Sequence, residues 1–289
     1  MRLKKIIKNL EDKFPIELAE EWDNVGLLIG NAEKDIKSII LCLDITKEIV
    51  EKAVAYKVDL IISHHPFIFS PIKKITTYEV NGDKILKLVQ NDIAVYSMHT
   101  NIDSGIDGLN DFIIKKIGQE GKVFAVSNNN SIELRKLVTS DLIDTKNKII
   151  NPLRIQKLKN FITIEELCKI IKEKLCIPNV RVVGDTEKLV KSYAICTGSG
   201  MSFSENVKKK VDVFITGDLK YHESLDARES NQTIIDLGHY ESEYLFVELL
   251  EENLKTFFDG KILREYGQAV FKIVWWKYFI KIKWRNKNV

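Results

Sequence analysis

The stretch LIISHHPFIFS, residues 60–70, places two adjacent histidines directly after a short apolar run. The run is rich in β-branched residues, as buried strands are. Neighbouring side chains within a strand point to opposite faces, so His64 and His65 can serve one region only beyond the strand end. Pro66 favours extended backbone at His65. The stretch therefore predicts a strand that carries a polar site at its carboxyl end.

Similar apolar runs alternate with amphipathic segments along the chain, which predicts α/β layers with largely covered sheets. The predicted strands are 38–43, 59–62, 93–98, 180–183, 192–196, 211–215 and 233–237, and the LLIG motif ending at residue 30 is a further one. The predicted helices are 46–56, 82–91, 108–117, 164–175 and 241–256. Thr163 and Glu166 have the spacing of a capping box at a helix start.

The middle of the chain is polar and weakly patterned, and it opens with the loop signal SNNNS at 127–131. We interpret it as a connector between two α/β halves. The predicted division is an N-terminal domain at 1–126, a connector at 127–162, a C-terminal domain at 163–262 and a tail at 263–289.

The composition is that of a globular protein of 289 residues, with 45% hydrophobic and 29% charged residues. The N-terminus lacks the apolar stretch of a signal peptide, and no window of about 18 residues is free of charge. Four cysteines (42, 168, 176 and 196) form no CxxC pair and lie in or beside apolar runs. We expect buried free thiols in a reducing compartment, the cytoplasm.

Charge is distributed unevenly. Residues 261–289 carry eight Lys or Arg and one Glu, a charge of +7, so the rest of the chain carries −4 of the total of +3. The whole-chain charge is therefore no argument for nucleic-acid binding.

All five histidines lie just beyond the end of a predicted strand, where open α/β sheets form ligand sites. They are His64, His65, His99, His222 and His239. Asp103 and Glu243 each follow a histidine by four residues, a spacing that on a helix puts both side chains on one face. Imidazole and carboxylate together suit zinc, iron, manganese or nickel. The joint pattern predicts a metal site.

Two imidazoles that diverge from an extended turn are better suited to two metals than to one. Two metals about 3.5–4 Å apart are a recurrent hydrolytic arrangement. Other signals are weaker. The motif CTGSGMSF at 196–203 indicates either a phosphate-binding turn or an ordinary βα turn.

Five motifs in order resemble the NIF-three-like dinuclear-metal hexameric protein family, also called GTP cyclohydrolase I type 2 homologues. They are WDNVGLLIG (22–30), SHHPFIF (63–69), HTNIDSGIDGLND (99–111), VFITGDLKYHE (213–223) and GHYESE (238–243). The similarity covers about residues 1–260.

The resemblance implies two similar α/β domains with mixed sheets flanked by helices, a dinuclear metal site in the cleft between them, and a toroidal homohexamer. Its metal ligands match the following residues: His64, His65, Asp103, His239 and Glu243. Asp103 and Glu243 are the expected bridging ligands, and His99 and His222 match motif histidines suited to proton transfer. Some relatives carry an inserted domain, for which segment 127–162 is too short.

The leading hypothesis is a divalent-metal-dependent hydrolase with two metal ions per chain, acting on a small molecule such as GTP or another nucleotide. The alternative is a non-catalytic metal-binding scaffold or regulatory protein that acts through its oligomer. After about residue 260 the chain departs from the family and ends in interleaved aromatic and basic residues. Such a pattern is typical of a single-stranded nucleic-acid platform or a membrane-surface segment. We favour instead an ordinary edge strand with a charged solvent face, or a reading-frame change near the end of the gene, and we expect neither a membrane nor a nucleic acid as partner.

Overall fold

The computed structural model describes residues 1–127, 131–133, 143–144, 147–148 and 150–272. These residues form two mixed sheets flanked by helices, which confirms the predicted fold class. Within the described ranges, no helix is long and apolar enough to cross a membrane.

The first sheet has five strands: β1 (Gly26–Ile29), β2 (Ser38–Cys42), β3 (Leu60–Ser63), β4 (Ala94–Ser97) and β14 (Lys261–Glu265). Their order is β1-β4-β3-β2-β14, with β14, β2, β3 and β4 parallel and β1 antiparallel. The accompanying helices are α1 (Leu3–Lys13), α2 (Lys47–Ala55), α3 (Val80–Gln90), α4 (Thr100–Ser104) and α5 (Leu109–Ile117), with a 3-10 turn at Ile16–Leu18. The parallel strands place their carboxyl ends at one edge.

The second sheet has seven strands: β5 (Gly121–Ser127), β6 (Ser131–Glu133), β9 (Ile150–Thr163), β10 (Arg181–Val183), β11 (Leu189–Ile195), β12 (Val213–Thr216) and β13 (Ile234–Asp236). Their order is β10-β13-β12-β11-β9-β5-β6, and only β11, β12 and β13 run parallel. β7 (Ile143–Asp144) pairs with β8 (Asn147–Lys148). The helices are α6 (Ile164–Lys174), α7 (Ser204–Val207), α8 (Tyr221–Glu229), α9 (His239–Glu243) and α10 (Phe246–Leu254), with a 3-10 turn at Gly200–Phe203.

One continuous apolar core joins the two sheets. It includes Leu41 and Ile62 of the first sheet and Tyr193 and Ile215 of the second, all fully buried. Helices α1, α5, α6 and α10 contribute to the same core. Each predicted strand is present within a few residues of its predicted bounds, and the Thr163–Glu166 capping box forms at the start of α6.

Three expectations about local structure need correction. Residues 150–162 of the segment interpreted as a connector belong to the long strand β9, which lies inside the second sheet between β11 and β5. Its inward face carries Arg154 and Gln156, which are buried and hydrogen-bonded, so the apolar alternation of a strand is missing. The predicted helix 241–256 is two helices, α9 and α10.

The third correction concerns the cysteines. Three of the four are buried free thiols as expected, but Cys176 is exposed. It lies after the end of α6 in a left-handed conformation with φ of 51°, which turns the chain outward. The predicted domain limits at 126 and 162 stay a prediction.

Candidate metal centre

The carboxyl ends of strands from both sheets meet at one group of polar side chains. His64 and His65 follow β3, and His99 follows β4 in the same parallel edge. His239 opens α9 directly beyond β13 of the second sheet. The strand-end pattern thus brings four of the five histidines into one place, with neighbouring ring centroids 5.1–5.6 Å apart.

The turn that carries the adjacent histidines is held in an extended form. The His64 and His65 amides donate to the carbonyls of Cys42 and Leu43, at 3.1 and 3.0 Å. The Ser63 hydroxyl donates to the His65 carbonyl at 2.8 Å. The His64 ring is fully buried and packs on Phe246 at the start of α10, with centroids 4.9 Å apart, whereas His65 is half-buried.

Glu243 lies at the centre of the group and is almost fully buried. Its Oε2 is 3.0 Å from both His65 Nε2 and His239 Nε2, and its Oε1 is 3.7 Å from His64 Nε2. His239 and Glu243 are one turn apart on α9, as their spacing predicts. The two adjacent imidazoles therefore approach different oxygens of one carboxylate.

Asp103 enters the group from α4, with its Oδ1 3.8 Å from His64 Nε2. Asp23 fixes the start of that helix, because its Oδ2 accepts from the Thr100 amide at 3.1 Å and from the Thr100 hydroxyl. The other oxygen of Asp23 lies 2.9 Å from His99 Nδ1. One carboxylate thus orients both a histidine and the helix that carries Asp103.

Each of the four histidines has an oxygen acceptor on Nδ1. The acceptors are the Met98 carbonyl for His64 at 2.9 Å, Asp44 for His65 at 2.8 Å, Asp23 for His99 at 2.9 Å and Asp218 for His239 at 2.7 Å. Carbonyl and carboxylate oxygens only accept, so Nδ1 carries the hydrogen and Nε2 of a neutral ring keeps its lone pair. Metal-binding histidines are usually oriented in this way.

Burial and mutual charge shift the pKa values of the group. Burial raises the pKa of Asp103 well above its usual range, helped by Glu243. Burial lowers the pKa of His64 to about 4. Burial also opposes ionisation of Glu243, but the close contacts with His239 and His65, together with the nearby His64 ring, outweigh it and hold the pKa of Glu243 well below its usual range.

The pKa values of the two histidines closest to Glu243, His65 and His239, are raised. A hydrogen bond to Glu243 raises the pKa of His239 to about 9. Burial disfavours protonated His65, but the carboxylates of Asp44 and Glu243 outweigh it and raise the pKa to about 10. Without a cation, protons on these two rings supply the positive charge that Glu243 requires.

Two atoms of the group are buried without a hydrogen-bond partner, His64 Nε2 and Asp103 Oδ1. Such orphaned groups are costly in a folded protein, and a cation would satisfy both. In addition, His65 Nε2 and His239 Nε2 face each other at 3.2 Å. Two sets of side chains have ligand atoms close enough for one ion: His64 with His65 and His99, and His65 with His239 and Glu243. The donor set fits a divalent transition metal.

Comparisons with known proteins identify the family of the chain. The sequence profile of the Duf34/NIF3 (NGG1p interacting factor 3) family matches residues 1–266. This chain belongs to the Duf34/NIF3 family. A protein of Clostridium acetobutylicum named GTP cyclohydrolase 1 type 2 homolog is 34% identical over 256 residues, covering 88% of this chain and 90% of that one. A protein of the same name from Clostridium perfringens is 36% identical over 263 residues, covering 91% and 94%.

Solved structures of the Duf34/NIF3 type share the fold. A Staphylococcus aureus protein matches with a TM-score of 0.78 and 30% identity, covering 95% of this chain and 99% of that one. A Bacillus cereus protein related to NIF3 matches with a TM-score of 0.80 and 23% identity over the same shares. The family match ends at residue 266, close to the predicted departure near residue 260. Within the tail, residues 273–289 lie outside the described residues.

His222 does not lie in the group of side chains around Glu243. It lies exposed on α8, and its described contact is with the ring of Tyr221, at 5.3 Å between centroids. Its predicted role in proton transfer stays a prediction. His99, predicted for the same role, lies within ligand distance of His64 and His65, so the structure makes it a possible sixth ligand as well.

The CTGSG turn behaves as a βα turn. Its amides are already used inside the protein: Gly198 donates to Ser242 Oγ at 2.9 Å and Gly200 to Thr216 Oγ1 at 3.0 Å. The turn serves the metal group in another way, because Gly198 leaves room for Glu243. A Cβ at Gly198 would lie 2.1 Å from Glu243 Oε1.

Sequence reasoning missed the three orienting carboxylates of Asp23, Asp44 and Asp218. The strand-end pattern applied to the histidines would have found two of them, because Asp44 follows β2 and Asp218 follows β12. Asp23 lies in an irregular segment before β1, where the sequence indicates only a turn. Its role depends on a tertiary contact with His99.

Proposed function

We propose that this chain is a divalent-metal-dependent hydrolase that holds two metal ions and acts on a small molecule of the nucleotide class. The observation that carries the proposal is the convergence of three oriented Nε2 atoms, those of His64, His65 and His239, on Glu243, while His64 Nε2 and Asp103 Oδ1 are buried without a hydrogen-bond partner. The substrate class is suggested by the name of the relatives, GTP cyclohydrolase 1 type 2 homolog.

The proposed ligands divide into two groups that share Glu243. His64 and Asp103 belong to the first, and His65 and His239 to the second. When bound, such a metal pair supplies Lewis-acid polarisation and lowers the pKa of water. The protein's own groups orient the ligands through Asp44, Asp23 and Asp218.

Proton transfer is assigned to His99, since Asp23 holds its Nδ1 and leaves Nε2 as the atom that gains or loses a proton. A substrate proton within hydrogen-bond reach of that atom is the requirement for this role. His222 is retained as a second proton-transfer residue, and its variant separates that role from metal binding.

Metal analysis tests the first half of the proposal. Protein purified without chelator is measured by inductively coupled plasma mass spectrometry, beside the double variant His65→Ala with Asp103→Ala. We expect about two metals per chain in the wild type and a large loss in the variant. His222→Ala is the matched control, with unchanged metal content. Fewer than about one metal per chain, unaffected by the double variant, contradicts the dinuclear centre.

Turnover tests the second half. Metal-loaded protein is screened against GTP, other nucleotides and related small molecules, with the same double variant as control. Activity that is lost in the double variant of the proposed metal ligands supports the hydrolase. Activity that persists in the double variant identifies a contaminating enzyme.

A second function is favoured by the surface beside the site. Two large aromatic side chains are exposed there, Trp22 at 59% and Phe69 at 54%, with ring centroids 5.9 Å apart, and the Trp22 ring lies 6.0 Å from that of His99. Contiguous exposed apolar surface marks interaction sites. We therefore keep, as the alternative, a metal-binding scaffold that acts through a homo-oligomer, for which a hexamer is the expected size. Full metal content and a defined oligomer by light scattering, with no ligand-dependent turnover, would favour it.

A further inference from the structure

A cavity of about 440 Å³ opens directly beside the metal group. Asp44 and His65 belong to both, so a molecule in the cavity has one end at the proposed metal ligands. Its other walls come from the start of α2, from α3, and from residues 265–270 after β14. The volume falls within the range of about 300–1,000 Å³ that is usual for small-molecule sites.

The carboxylates that line the cavity are already engaged. Asp44 binds His65, and Glu265 forms an ion pair with Lys52 at 2.8 Å. Lys84 is the one Lys or Arg among the lining residues that the structure describes. The salt bridges found in the described ranges do not include it, and its Nζ donates to the Ile45 carbonyl at 2.7 Å. The cavity therefore contains a half-buried cation that forms no direct ion pair within the described ranges, while the Asp44 carboxylate that attracts it is hydrogen-bonded to His65.

Lys84 is also held in position. Its Nζ lies over the Phe67 ring, 4.8 Å from the centroid. Of its three N–H groups, one is used by Ile45, which leaves two for an oxyanion. Asn81 and Thr46 line the same part of the cavity and offer neutral donors. A fixed lysine with neutral donors beside it suits a phosphate group.

Another part of the lining is aromatic. Tyr240 and Tyr266 line it, and Tyr240 stacks on Tyr244 with centroids 5.9 Å apart. Such a wall accepts a ring or another apolar portion of a ligand. The cavity thus offers both a cationic and an aromatic surface, and His65 connects it to the proposed metal ligands.

We propose that this cavity is the substrate subsite and that it takes a phosphate ester of a ring-containing small molecule, with the phosphate on Lys84 and the ring against Tyr240 and Tyr266. The inference rests on the proposed function, because the reacting part of such a molecule would lie at the His65 end. Lys84 is assigned as a binding residue that determines specificity for anionic substrates.

Isothermal titration calorimetry on the metal-containing protein as purified tests the assignment. The probes are GMP, guanosine and inorganic phosphate. Lys84→Met should weaken GMP and phosphate binding by about tenfold or more, because a charge-assisted contact is lost, and should leave guanosine binding unchanged. Lys84→Arg should retain most of the GMP affinity. Lys87→Met is the matched control, since Lys87 lies on the same helix and pairs with Asp83 at 2.9 Å.

Equal GMP affinity in the wild type and Lys84→Met overturns the inference, since the phosphate would then bind elsewhere, for example at the metals. Absence of GMP and phosphate binding to the wild type also overturns it. Thermal unfolding and metal analysis show whether Lys84→Met is folded and contains metal. If it is not, Lys84→Gln is used in its place. If GMP binding depends on Lys84 but no compound of the turnover screen is converted, the phosphate site stands and the hydrolase proposal is refuted. If turnover depends on the proposed metal ligands but GMP binding does not depend on Lys84, the hydrolase proposal stands and this inference is refuted.

Discussion

At the scale of single residues, one carboxylate organises the metal group. Glu243 is 3% exposed, yet the close contacts with His239 and His65 and the nearby His64 ring hold its pKa well below its usual range. It can reach them only because Gly198 lies against it without a side chain. Gly198 has φ of +62°, a conformation that suits glycine, and its amide is bound by Ser242.

We predict that Gly198→Ala displaces Glu243 and lowers metal content severalfold, because the added Cβ would lie 2.1 Å from Glu243 Oε1. Gly118→Ala is the control. Its φ of +71° imposes the same kind of backbone strain, while its nearest neighbour lies 3.6 Å from the added Cβ. Metal content and thermal unfolding of both variants are measured together. Equal metal loss in the two would mean that backbone strain, not the clash with Glu243, is responsible.

The orienting carboxylates give a second prediction at this scale. Asp44→Asn removes the charge that fixes His65 at Nδ1, and we expect metal affinity to fall by about 10–100-fold. Asp92→Asn is the control, since Asp92 is an exposed aspartate that pairs with Lys34 away from the group. Competition with a chromogenic chelator measures both affinities. An unchanged affinity in Asp44→Asn would show that His65 does not need this partner.

At the scale of elements, one buried side chain ties β9 to the helices that carry the site. Arg154 is fully buried and donates to Asp111 Oδ1 at 2.8 Å. It also donates to the carbonyls of Ser104 and Gly105, each at 2.8 Å, directly after Asp103. A strand of the second sheet thereby fixes the end of α4.

We predict that Arg154→Met lowers the free energy of unfolding by about 3–5 kcal/mol, because it leaves Asp111 and four backbone carbonyls without their partner. Lys159→Met is the matched control, because Lys159 lies on the same strand in an exposed ion pair with Glu120. Its expected cost is at most about 1 kcal/mol. Urea unfolding followed by circular dichroism measures both. Similar midpoints for the two variants would contradict the structural role of Arg154.

The same residue explains what the sequence could not predict at this scale. Strands such as β3 and β12 are short, apolar and fully buried, so local pattern alone is sufficient to find them. β9 lacks the alternating apolar pattern of a strand, because Arg154 and Gln156 occupy inward positions. Their side chains form hydrogen bonds with residues distant in the sequence. The addition of β14 to the edge of the first sheet is likewise a long-range pairing with β2 that no local pattern encodes.

At the scale of the whole molecule, the site depends on both sheets. The first sheet supplies His64, His65 and Asp103, and the second supplies His239 and Glu243. The sequence predicted that these side chains meet because the strand-end pattern and the family motifs are local signals. The number of ions is a property of the assembled cleft, and it remains part of the proposal.

Because the ligands come from both sheets, a bound cation should stabilise the whole fold, not one half of it. Free metal at 100 times the dissociation constant adds about 2.7 kcal/mol to the free energy of unfolding for one site. For a chain of this size, we expect the unfolding midpoint to rise by about 5 °C. Differential scanning calorimetry of chelator-treated protein, titrated with zinc or manganese, measures the rise.

The matched variants decide whether that rise comes from this site. Glu243→Gln removes the carboxylate shared by both ligand groups, so its midpoint should no longer respond to metal. Glu252→Gln changes an exposed glutamate on α10 in the same way and should respond as the wild type does. A single transition that shifts as one unit indicates that both sheets unfold together. A rise that persists in Glu243→Gln, or a shift confined to one of two transitions, would show that the cation does not join the two sheets.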